Sequence, residues 1–110
     1  LLNELKTLIH CDVQEAVYLS LYAWYRGIIE GHVRHALTYA HNSLKIKQYN
    51  FTGNDLRIAE SHYLIGILNL LAGEVEHAKK HINKCMNIMG NYKLEKKMLE
   101  IQTIFNEQLN

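Results

Sequence analysis

The stretch GHVRHALTYAHNSLKI, Gly31 to Ile46, is echoed 42 residues later by GEVEHAKKHINKCMNI, Gly73 to Ile88. Five positions are identical: Gly31/Gly73, Val33/Val75, His35/His77, Ala36/Ala78 and Ile46/Ile88. Ser43/Cys85 and Leu44/Met86 are conservative pairs. The identities fall at the turn and on the buried stripe of the helix that follows, where a structural repeat would need them. A helix ended by glycine, a tight turn, and a second helix with a small-residue stripe therefore recur with a period near 40 residues. That is the signature of stacked helical hairpins.

The rest of the chain fits this unit. Proline is absent and glycine is rare, and no stretch sustains the alternation of a strand. The fold class is all-α. Leu1, Leu2, Leu5, Leu8 and Ile9 form an apolar stripe that stops near Cys11, so residues 1–11 read as the end of a preceding helix. Asp12 and Glu15 have capping-box spacing, which predicts a new helix from Val13 to about Glu30. The first hairpin is 13–48, and its second helix carries Val33, Ala36, Leu37, Ala40, Leu44 and Lys47 on one side. QYNFTGND, Gln48 to Asp55, is the longest loop. The second hairpin is 55–90: a largely buried helix from Leu56 to Ala72, Gly73, and a helix with Val75, Ala78, Ile82, Cys85, Met86 and Met89 inward. Residues 93–109 predict a capping helix with Leu94, Met98, Ile101 and Phe105 on one side.

Bulk properties exclude several classes of function. A net charge of +1 over 110 residues leaves no basic face for nucleic acid, and KLEKK (Lys93–Lys97) is a short solvated run. The longest apolar run is too short to span a membrane. Cys11 and Cys85 are far apart with no CxxC spacing, which suits a reducing, cytoplasmic setting. A chain that starts at Leu1 without methionine reads as part of something longer.

Catalytic and metal chemistry find little support. His77 and His81 at i,i+4, and His32 and His35 at i,i+3, share helix faces as metal ligands do. A closed site needs three or four ligands, no carboxylate or thiol supports either pair, and EHAKKH is not the HExxH order. Ser20, Ser43 and Ser61 lie inside helices, and Cys85 reads as a small buried residue. No cofactor, metal or enzymatic activity is expected.

From Ala59 to about Tyr92 the chain resembles the tetratricopeptide repeat family. Gly66 stands at the close approach, Gly73 at the turn, Ala78 and Ile82 at the small and bulky packing points, and Cys85 at the second small position. His62 and Asn69 depart from it, since the family places large aromatics there, and its closing proline is missing near Gly90. In the first copy Trp24 occupies the place of Gly66, so that hairpin must splay or shift through Ala23 or Gly27. The loop-extended period is similar to that of the peptide-pheromone-sensing regulators of Gram-positive bacteria. The resemblance implies a right-handed array of about five to six helices, two repeats plus flanking helices.

It also implies that the first helix of each hairpin reads a protein or peptide partner. Those positions are Glu60, Tyr63, Ile67, Leu70 and Leu71 in the second copy, and Tyr18, Leu21, Tyr25, Ile28 and Ile29 in the first. Arg26, Arg57 and Asn69 offer hydrogen bonds to a peptide backbone or carboxylate. The Lys, Arg and Asn of a carboxylate clamp are missing from these positions. Two roles stay open for Leu70, Leu71, Ile28 and Ile29, binding wall or core; the tyrosines favour a wet edge. The expected function is a non-catalytic binding scaffold in a regulatory protein. Its alternatives are the sensing or dimerising part of a transcription regulator whose DNA-binding domain lies elsewhere, and a self-assembling module, a homodimer included, joined through its end stripes.

Overall fold

The computed structural model describes residues 2–92 and 95–109, with side chains described for 13–92 and 96–108. The stripe from Leu1 to Ile9, Cys11, Lys93 and Leu94 lie outside the described side chains. Among the described residues the chain is all-α, with helices α1 (Leu2–Trp24), α2 (Val33–Asn50), α3 (Leu56–Leu71), α4 (Val75–Asn91) and α5 (Glu95–Leu109). A single π-helical turn, Tyr25–Ile29, continues α1.

One expected boundary is replaced. No new helix starts at Val13: α1 runs unbroken from Leu2 through Asp12 to Trp24. Asp12 and Glu15 match the spacing of a cap, but the segment carries neither glycine nor proline. An aspartate inside a helix costs only a few tenths of a kcal/mol, roughly, less than breaking and recapping the helix. A cap needs a stop before it.

The repeated glycines do make the turns. Gly31 has φ +79° and Gly73 φ +81°, left-handed values that a Cβ disfavours. After α3 the amide of Glu74 donates to Asn69 O at 2.8 Å, five residues back, as in a Schellman closure. After α1 the amide of His32 donates to Arg26 O at 2.8 Å, six residues back. The one-residue difference is the π turn. The two hairpins therefore close alike, the first with one extra residue wound in.

That extra residue resolves the problem posed by Trp24. The indole is 43% exposed, and Gly27 is the buried close-approach residue. A Cβ on Gly27 would run into Leu68 and come within 2.9 Å of Ala36 Cβ. In the second hairpin Gly66 does this work, its Cβ position lying 2.7 Å from Ile82 Cδ1. The shift expected of the first hairpin runs through Gly27.

α2 ends where the Phe51 amide donates to Lys47 O at 2.8 Å, and α3 begins at Asp55, whose Oδ1 accepts from the Arg57 amide at 2.9 Å. This is the N-cap that the sequence at 12–15 only mimics. Ala36, Ala40, Ala78, Ile82 and Cys85 are buried on the inner faces of α2 and α4, with Ile58, Ile65 and Leu68 of α3 between them. Lys47 is buried too, and a chain of hydrogen bonds threads its neighbourhood. Its Nζ donates to Ser20 Oγ (3.4 Å), Ser20 Oγ donates to Ser43 Oγ (2.6 Å), and Ser43 donates to Ala16 O (2.6 Å). Ile101 and Phe105 of α5 join the core, as the capping stripe predicts, with Met98 half-buried.

Consecutive helices pack against each other, and α1, α3 and α5 also touch, forming one layer with α2 and α4 behind. The array measures 51 × 33 × 19 Å.

Candidate functional site

The layer of α1, α3 and α5 presents a groove of about 250 Å³. One wall is Trp24 and Ile28, from the end of α1 and the π turn. The floor is Tyr63, Ile67 and Leu71, spaced four apart along α3. Ile104 and Gln108 of α5 form the other wall. The spacing on α3 follows from helix geometry, since i, i+4 and i+8 share a face. The aromatics are half-buried or exposed, as a wall that meets both an apolar body and water requires. Burial raises the Tyr63 hydroxyl above its usual range, so it stays a neutral donor.

Among the residues expected to bind, Tyr63 and Ile67 line this groove, joined by Ile28 and Leu71. Tyr25, Leu21 and Ile29 are exposed on the same stretch of chain without lining it. Tyr18 is 65% exposed but stacks on Tyr22, whose ring meets Tyr39 edge-on at 4.8 Å, so it belongs to an aromatic ladder between α1 and α2. Leu70 packs against the core, and Glu60 is exposed elsewhere on α3.

The three hydrogen-bonding candidates are engaged close to home, although Arg26 Nε is buried without a hydrogen-bond partner. Asn69 is buried and its amide donates to Ile65 O at 3.0 Å, one turn back in its own helix. Arg57 grips Asp55 with two bonds, 2.8 and 2.7 Å, and lies 3.5 Å over the Phe51 ring. That grip holds the Asp55 carboxyl down at about 2. Arg26 pairs with Glu30 at 3.0 Å and lies over Tyr22. Each of these side chains braces its own helix or the loop beside it.

Sequence reasoning missed Trp24, Ile104 and Gln108. Trp24 reads in sequence as an obstacle to packing, and an obstacle turned outward is a wall. Ile104 follows Ile101 by three residues, on the edge of the α5 stripe, where spacing alone does not separate core from groove.

The histidines assemble otherwise than in the sequence pairs His32/His35 and His77/His81. His81 turns from His77 to His62, with Nδ1 to Nδ1 at 2.9 Å and the rings stacked 5.1 Å apart. His41 of α2 meets His81 edge-on at 5.7 Å. One Nδ1 donates and the other accepts, so the tautomer of either ring fixes that of its partner. Burial, with Lys84 and His41 nearby, lowers His62 to about 4, and burial with His62 nearby does the same for His81. Among the described residues no group of three or more His, Cys, Asp or Glu is placed to hold a metal ion. Burial pushes the Cys85 thiol up to about 11, away from the thiolate form.

Among the described residues no helix is long and apolar enough to cross a membrane. Compared with family models, curated proteins and solved structures, the chain matches none.

Proposed function

We propose that this chain is a tetratricopeptide-like, non-catalytic module that binds an extended protein segment or peptide in the groove between α1, α3 and α5. The observation that carries this reading is the pair of aromatics, Trp24 and Tyr63, held with Ile67, Leu71 and Ile104 around one open apolar concavity. Its lining carries no formal charge, so the segment it suits presents aliphatic or aromatic side chains, oriented by Gln108 and the Tyr63 hydroxyl. The repeated hairpin, with glycine turns at matching φ, supports the family reading. The Ser20 and Ser43 hydroxyls, tied into internal bonds, and the high-lying Cys85 thiol support a binding role. Cys85, buried and unbridged, suits a reducing, cytoplasmic compartment.

Trp24 is the single tryptophan of the chain, so its emission reports the groove directly. Titrating a library of apolar peptides should blue-shift that emission for the peptides that bind. Calorimetry with Tyr63→Ala should then show roughly tenfold weaker binding, the ordinary loss for a groove-wall aromatic. Tyr25→Ala, outside the groove, should lose less. Affinity unchanged in Tyr63→Ala for every peptide that binds would sink the assignment.

A further inference from the structure

A second hollow, of about 370 Å³, lies between the end of α2, the loop after it, α3 and α4. It shares no lining residue with the groove and falls within the roughly 300–1,000 Å³ of small-molecule sites. Phe51, Ile58 and Ile88 give it an apolar side, while His62, Lys84 and Asn87 give it a polar one. The apolar side is held in place, because the Arg57 guanidinium covers the Phe51 ring and is itself gripped by Asp55. Lys84 and Asn87 stand one turn apart on α4, and Lys84 has no ion pair among the described residues. The lining contains no carboxylate. Its one formal charge is therefore an uncommitted positive one.

His62 is 4% exposed. With Nδ1 committed to His81, its remaining polar atom is Nε2. Because the two rings share one hydrogen bond, a proton on His81 Nδ1 leaves His62 carrying its own on Nε2, a donor. The reverse arrangement makes Nε2 an acceptor. A ligand group at Nε2 thus selects the tautomer of both rings with no net change in charge.

We propose that this hollow binds a small organic carboxylate with an apolar body, the body against Phe51, Ile58 and Ile88 and the carboxylate on Lys84 and the Nε2–H of His62. A single lysine and no arginine match one negative charge and fall short of a phosphate dianion, which takes several cations or a row of amides. Asn87 completes the acceptor's coordination.

The test titrates 3-phenylpropionate and, separately, 3-phenylpropionamide into the whole chain at neutral pH, read by NMR of backbone amides and histidine ring nitrogens. The acid should bind saturably, with shifts centred on Phe51, His62 and Asn87, and its saturation should leave His62 Nδ1 unprotonated and His81 Nδ1 protonated. The amide should bind roughly tenfold more weakly, the ordinary loss when a charge-assisted hydrogen bond is removed. Lys84→Met, a change at an exposed position, should keep the melting temperature and erase the acid's advantage. Equal binding of acid and amide, a preference that survives Lys84→Met, shifts centred on Trp24 and Tyr63, or no saturable shift at millimolar ligand would each overturn the proposal.

Discussion

At the scale of single residues, the fold turns on where a side chain is forbidden. Gly27 and Gly66 are buried against Leu68 and Ile82, and a methyl group at either would force those side chains to shift. At Gly27 part of the obstruction is Ala36 Cβ, which cannot rotate aside, so α1 and α2 must separate. Gly27→Ala should destabilise the protein by about 1–3 kcal/mol, the usual cost of overpacking. Gly53→Ala, with nothing within 4 Å, should stay near wild type; urea unfolding of both measures the contrast. Gly66 was legible as a close-approach residue because the repeat placed it there. The choice between Ala23 and Gly27 was not, because a π turn changes which residue faces inward without leaving any mark in composition. Asn69 was misread for a related reason. Its amide finds a partner in its own helix, and no spacing rule separates a polar side chain that turns back from one that reaches out.

At the scale of elements, the junction of α2, α3 and α4 is held by imidazoles where the family resemblance leads one to expect aromatics. The charged groups acting on them are all basic: His41 and Lys45 from α2, and His77, Lys80 and Lys84 from α4. His62 and His81 titrate near 4 in the folded chain, below the ordinary 6.5 or so of an unfolded histidine. The unfolded chain therefore takes up protons first. Their contribution to stability should be full above about pH 6.5, fall as the pH drops towards 4 and level off below that, where the Asp55 carboxyl begins to lose its own. For the buried His62 the loss is on the order of 3 kcal/mol. Thermal melts from pH 7 to 4 should show it, and His62→Gln should flatten the slope; a melting temperature independent of pH across this range would contradict it. The hairpins themselves were readable from glycine placement and small-residue spacing. The start of α1 was not, since a capping box is a local signal and helix continuity is decided by the lack of a breaker.

At the scale of the whole molecule, the groove exists because α5 comes back to stand beside α3. A stripe of apolar residues on α5 was evident in the sequence, and Ile101 and Phe105 do face the core. Which of its other residues become wall depends on how far α5 rotates, which packing decides. The same arrangement has a mechanical side. Helices touch chiefly their neighbours along the chain, and no strand or distant segment ties the two ends together among the described residues. Pulled from its termini, such a chain has no clasp that must fail first. In an optical trap the protein should lengthen in several small, low-force steps as helices peel from either end, and rezip quickly when the tension is relaxed. One abrupt rip of the full contour length would mean that the array is knit more tightly than its neighbour-to-neighbour packing allows. A chain that yields this way behaves as a soft spring, able to widen its concave side under load without unfolding its middle.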